Sequence, residues 1–353
     1  MNINGRIGFY LYAENHWAHL EPIIKHLPEG LVEIVTPETR DVPKFVDTRK
    51  YKFSKSIDIL ASGKKYRCMV SLYMMPPDWW KNNVEKKTNE LNDPSGGYFK
   101  SLAKHNVRMV YSLGALPWNT SGVMKGYDSI FVYGPHEENI YREKFGNTIN
   151  IHQVGYPKFD FHFTGISNQT YLEKKLLPDR KTILWLPTKG KLSSIEKYAD
   201  IMIELCTSYN VILKPHPQED LEILKKIDST AVILSKSYDS APYYKLADFV
   251  FCDYGGSAFG ALYVDKPIIF LSPDNPERDS RNYSSESPEV ELRSHFLTFD
   301  KCTTIEITRK LNDQAFWNGQ KGIRETLRKK YFKCNYGSAG KQAADFLKSC
   351  ISN

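Results

Sequence analysis

Residues 247–271, ADFVFCDYGGSAFGALYVDKPIIFL, limit the possible folds more than any other stretch of this chain. The run 247–252 is short and apolar, with the composition of a buried strand. Residues 258–264 read as a short helix with Ser257 near its N-cap, and Asp265-Lys266-Pro267 ends it before a second apolar run at 268–271. Strand, Gly-rich turn, helix and strand in this order form a unit whose strands lie parallel. The two glycines remove side chains from a place where backbone N–H groups are open, so the turn is expected to hold a phosphate. A tight turn with a hydroxyl cap and no ligand is the plain alternative.

The same alternation runs through the rest of the chain. Strands are expected at 7–12, 31–35, 66–73, 107–113 and 129–133, and again at 182–186, 210–213, 231–234, 249–252 and 268–271, with helices between. Around 168–181, NQTYLEKKLLPDRK, the chain turns polar and carries a Pro-Asp pair, and the alternation restarts after it. A chain of 353 residues exceeds one ordinary core. The expected architecture is therefore α/β, with an acceptor-side Rossmann-like domain at 1–170 and a nucleotide-donor domain at 171–353, facing each other across a cleft. From 304 onward the sequence reads as a wholly helical tail.

Three loops of the second half follow expected strands, and a parallel sheet brings such loops to one edge. They are LPTKGK (186–191), LKPHPQED (213–220) and DYGGSAFG (253–260). Together they offer Thr188, Lys189, Lys191, Lys214, His216 and the Gly255-Gly256-Ser257 turn, an anion site in composition. Pro215 and Pro217 stiffen the middle loop. The formal net charge of +7 agrees with anionic ligands. No RNA-binding signature or zinc-finger spacing is present, so nucleic acid is not expected as a partner. The six cysteines are scattered without a CxxC pair, which reads as reduced and cytosolic. Neither a signal peptide nor a spanning segment is expected.

These loops carry a resemblance. VGYPKFD (154–160), ILWLPTKGK, LKPHPQ, the 247–271 block and YFKCNYGSAGKQAADFL follow in the order of motifs of the CDP-glycerol glycerophosphotransferases of teichoic-acid and capsule synthesis, which have the GT-B glycosyltransferase fold. The resemblance implies a nucleotide-activated donor, CDP-linked by preference, with its phosphates over His216 and the Gly255 to Ser257 turn. The donor group is then Thr188, Lys189, Lys214, His216, Asp253, Gly255, Gly256, Ser257 and Ala258. Lys214, His216 and the Ser257 helix start would stabilise charge on the leaving phosphate. No carboxylate cluster with metal-ligand character is present, so no metal and no cofactor are expected.

The chain also departs from that family. Where the family has Trp-His-Gly-Thr-Pro-Leu-Lys, with the histidine as base, this chain has YSLGALPWN (111–119), which puts Leu113 at the histidine position. Its Asp-Tyr-Ser-Ser is here Asp253-Tyr254-Gly255-Gly256-Ser257, and the acidic residue that follows in the helix is Gly260. A replacement base is sought in YAENHWAHLEP (12–22), where His16 or Glu14 would take the acceptor proton. The plain alternative makes Glu14 and Asn15 helix caps and His16 a solvated or packing residue. PPDWW (76–80) reads as a partly buried aromatic loop, with an acceptor platform or membrane contact as the alternative, and RKK (328–330) as a solvated face.

The function expected is a metal-independent transferase that moves glycerol phosphate, ribitol phosphate or a sugar from a CDP- or UDP-linked donor to a hydroxyl of a cell-surface glycan or glycolipid. Its place would be the cytoplasm, with the inner face of the membrane as a peripheral site. Two alternatives stay open: an isomerase resembling the UDP-N-acetylglucosamine 2-epimerases, and a nucleotide-sugar-binding protein without turnover.

Overall fold

The computed structural model describes residues 5–44, 46–72, 94–113, 126–164, 175–216, 221–225, 227, 231–234, 239–274 and 287–352. The PPDWW stretch, Pro217 and the residues after Leu113 in YSLGALPWN lie outside the described residues. The chain forms two compact units. The first comprises Met1–Tyr111, Trp118–Phe163 and Tyr331–Asn353, the second Ser112–Pro117 and Thr164–Lys330.

In the first unit the strands are β1 (Ile7–Tyr10), β2 (Val32–Thr36), β3 (Lys52–Lys55), β4 (Tyr66–Ser71), β5 (Ala103–Met109), β6 (Ser129–Val132) and β7 (Asn150–Gln153). Among the described residues they form one parallel sheet in the order β3-β2-β1-β4-β5-β6-β7. Strands β1 (IGFY) and β2 (VEIVT) are buried at every position. Burial on both faces, where helices cover a parallel sheet, suits the apolar run of β1, while in β2 the buried Glu33 is paired with Arg6 at 2.7 Å.

The C-terminal tail differs from the expectation that assigned it to the second domain. Ala343, Ala344 and Leu347 of the helix Ala339–Ser352 belong to the core that contains Phe9, Ile34, Val70 and Val107. The Asp160 carboxylate accepts the N–H groups of Ala339 at 3.1 Å and Gly340 at 2.7 Å, so it caps that helix from the first unit. Lys333 N–H donates to the Tyr133 carbonyl at 2.7 Å, and Arg67 Nε to that of Cys350 at 3.1 Å. The 154–160 motif is thus a dock for the tail. A boundary drawn by sequence position cannot register a chain that returns. The tail itself is helical at Thr304–Leu311, Gln314–Tyr331 and Ala339–Ser352, with a non-helical link between the last two.

In the second unit the strands are β8 (Thr182–Leu186), β9 (Asn210–Leu213), β10 (Val232–Ile233), β11 (Phe249–Cys252), β12 (Ile268–Leu271) and β13 (Thr298–Phe299), parallel in the order β10-β9-β8-β11-β12-β13. Four of these lie at the expected residues. The two-residue edge strand β13 was not expected. Strands are added first on one side of β8 and then, from β11, on the other. The crevice outside the carboxyl ends at such a reversal is where open α/β sheets take ligands.

Candidate functional site

The second unit places the three expected loops side by side, because β9, β8 and β11 are neighbours in its sheet. The reversal point falls between β8 and β11, and Asp253 ties the loops that leave them. Its carboxylate accepts the N–H groups of Thr188 at 2.7 Å, Ser194 at 2.8 Å and its neighbour Tyr254 at 2.7 Å. Asp253 was expected to bind the donor. Instead its carboxylate is fully buried and braces the loops. Burial pushes its pKa up to about 7 against the pull of these N–H donors.

Lys189 and Lys214 form the cationic side of the site, with His216 beside them. Lys214 is buried, and its Nζ donates to the Pro215 carbonyl at 3.0 Å. His216 is half-buried, and Lys189 is exposed. Burial, followed by the charges of Lys189 and Lys214, pushes the His216 pKa down to about 4. At neutral pH the imidazole is therefore uncharged, next to two cations that would welcome an anion.

The Gly-Gly-Ser turn completes the site. Gly255 has φ +102°, which excludes ordinary side chains, and its N–H donates to the buried Glu289 carboxylate. Gly256 has φ −74° and ψ −9° at the start of the helix Ser257–Tyr263, so Ser257 is the first helical residue and not the cap. Ala258 is buried, and the Ser257 carbonyl accepts the Tyr244 hydroxyl at 2.7 Å. Arg293 supports the turn from behind. It donates to the Asp253 carbonyl at 2.6 Å and to Ser272 Oγ at 2.9 Å, with its guanidinium 4.3 Å from the centre of the Tyr254 ring.

Sequence reasoning missed Glu289 and Arg293. Their only signal is an i, i+4 pair on the helix Pro288–His295, a spacing shared by many surface ion pairs. Among the described residues no group of three or more His, Cys, Asp or Glu has the arrangement to hold a metal ion.

The expected catalytic pair belongs to the first unit. His16 is fully buried, with its ring 6.3 Å from that of Tyr12 and 6.1 Å from that of Tyr111. Burial alone pushes its pKa down to about 3, which makes it a poor proton acceptor at neutral pH. Glu14 is exposed in the turn Glu14–His16. Neither acts as a helix cap: the helix Trp17–Ile24 starts without a side-chain cap bond, and Asn15 Nδ2 donates to the Tyr111 hydroxyl at 2.9 Å. Leu113 is buried. No described helix is long and apolar enough to cross a membrane.

A family model described as CDP-Glycerol:Poly(glycerophosphate) glycerophosphotransferase matches residues 107–298. The teichoic acid poly(glycerol phosphate) polymerase of Bacillus spizizenii (strain ATCC 23059 / NRRL B-14472 / W23) is 25% identical over 191 residues, 50% of this chain and 46% of that protein. The chain thus spans about half the length of that curated relative. Among solved structures, the wall teichoic acid polymerase TagF superposes with a TM-score of 0.69 at 15% identity, covering 99% of this chain and 90% of that one. A UDP-GlcNAc 2-epimerase from Neisseria meningitidis, bound to UDP-GlcNAc, gives 0.60 at 10% identity over 98% of this chain and 100% of that one. These structural likenesses establish the fold: it is of the α/β class expected from the strand and helix order and of the GT-B type that the resemblance implied.

Proposed function

The chain belongs to the CDP-glycerol:poly(glycerophosphate) glycerophosphotransferase family, and on that premise we propose that its second unit binds CDP-glycerol and that the protein transfers glycerol phosphate to a hydroxyl of a glycan or glycolipid acceptor. The observation that carries this reading is the convergence of Lys189, Lys214, His216 and the Gly255-Gly256 turn at the strand reversal between β8 and β11.

In the proposed reaction the acceptor oxygen attacks the phosphorus that bears glycerol. The bond from that phosphorus to the bridging oxygen breaks, and CMP leaves with the electron pair. Charge grows on the bridging oxygen as the bond lengthens, and Lys214 and the His216 ring N–H supply donors that strengthen with that charge. A cationic lining does this without a metal, so the transfer is proposed to be metal-independent. The acceptor proton goes to a base outside this cluster. Of the pair named from the sequence, Glu14 is the exposed one and the better candidate. A glycolipid acceptor would bring the chain to the inner face of the membrane as a peripheral protein.

The test supplies CDP-glycerol and a glycolipid acceptor with a glycerol phosphate terminus and measures CMP. Acceptor-dependent CMP release that collapses in His216→Ala is the expected result. Absence of release from CDP-glycerol, together with turnover of a UDP-sugar under the same conditions, would overturn it.

A further inference from the structure

The two glycines of the turn are glycines for different reasons. Gly255 needs to be one, since its φ of +102° is closed to ordinary side chains. Gly256 does not: φ −74° and ψ −9° are open to any residue, and at this N-cap position serine, asparagine or aspartate would serve at least as well as glycine. A side chain at 256 would meet the Ser112 hydroxyl, which would have to turn aside to admit it. A Cβ there would lie 2.8 Å from Ser112 Oγ and 3.7 Å from Ser112 Cβ. Ser112 groups with the second unit and is only half-buried. Its hydroxyl thus lies where residue 256 would project, while Thr188 Oγ1 is 3.8 Å from the Cβ position of Gly255.

We propose that Ser112 is a donor-binding residue, and that its hydroxyl supplies to the phosphate the hydrogen bond that a hydroxyl at position 256 would otherwise make. This rests on the reading of the second unit as the CDP-glycerol site. It bears on one departure in the sequence: the turn is Asp-Tyr-Gly-Gly-Ser where the resembling motif has Asp-Tyr-Ser-Ser, and Ser112 lies beside the second of these glycines. On this proposal the Ser112 hydroxyl stands in for one at position 256, and glycine there leaves room for it. A hydroxyl donor to an anion is shorter and stronger than one to a neutral group, so the exchange preserves much of the binding.

The experiment measures CDP-glycerol affinity by calorimetry in Ser112→Ala, Gly256→Ala, the double alanine variant, the hydroxyl exchange Ser112→Gly/Gly256→Ser, and His216→Ala as the control for the site, with melting temperatures confirming that each is folded. Ser112→Ala and Gly256→Ala are each expected to weaken binding about ten-fold. The double alanine variant should be no weaker than either single one, because both remove the same contact. The exchange variant should recover most of the affinity. Unchanged affinity in Ser112→Ala, or an exchange variant as weak as Ser112→Ala, overturns the inference while a weakened His216→Ala leaves the site reading intact. If His216→Ala also binds like the unmodified protein, the site reading itself fails and the Ser112 inference with it.

Discussion

The carboxylate of Asp253 accepts the backbone N–H of Thr188 at 2.7 Å, joining the loops that leave β11 and β8 across the reversal point of the second sheet. The same oxygen accepts from Tyr254, while the second oxygen serves Ser194 alone. Asp253→Asn therefore has a defined fault. Its amide oxygen keeps Thr188 and Tyr254, and its NH₂ group meets the Ser194 N–H donor to donor. We expect a loss of about 1–3 kcal/mol of unfolding free energy, with faster amide exchange at Ser194.

The pH dependence of that brace follows from burial. The Asp253 pKa rises from an ordinary 3.8 to about 7, so between those values the folded chain holds a proton that the unfolded chain releases. Its contribution to stability is largest below pH 4, falls as pH rises through 7 and is constant above. Urea unfolding at pH 5 and pH 8 should show this slope in the unmodified protein and a shallower one in Asp253→Asn.

His216 gives a second dependence, this time on binding. Free, its imidazole has a pKa pushed down to about 4 by burial and by Lys189 and Lys214. The phosphates of a diphosphate diester stay ionised in this range, and one placed beside the ring raises that pKa. Binding therefore takes up a proton as pH falls toward the raised value, and CDP-glycerol affinity should strengthen from pH 7 to pH 5. Calorimetry at pH 6 in buffers of different ionisation enthalpy measures the uptake, and His216→Ala should abolish it.

The three loops of the proposed donor site were legible in the sequence because their parts are backbone and loop chemistry. Strands of four to five apolar residues end in Thr188-Lys189, Lys214-Pro215-His216 and Gly255-Gly256, and parallel order fixes where such loops go. Asp253 was legible as a site residue but not as a brace, since only coordinates show which N–H groups a carboxylate collects. His16 sits in a polar-looking stretch, AENHWAH, and its burial depends on Tyr12 and Tyr111. The returning tail was invisible for a similar reason: nothing near Ala339 in sequence indicates that its cap is Asp160, 179 positions away.

That long-range cap is itself testable. Asp160→Ala leaves the Ala339 and Gly340 N–H groups without their acceptor, and we expect a loss of about 1–2 kcal/mol together with earlier proteolysis in the helix Ala339–Ser352. Donor binding by the second unit should be unchanged.

The proposed metal independence rests on Lys189 and Lys214 as the charge that would face the donor, with the neutral His216 ring beside them. CMP release in excess chelator should keep most of its rate. Complete loss, restored by Mg²⁺ or Mn²⁺, would contradict the proposed chemistry.

Lys214 and His216 are proposed to hold the donor diphosphate, and calorimetric titration of CDP-glycerol into the unmodified protein, Lys214→Met and His216→Ala measures whether they do. Binding to the unmodified protein is expected, with a weakening of about 1–3 kcal/mol in each variant and melting temperatures showing both to be folded. Equal affinity in all three proteins would contradict it and put the phosphates elsewhere.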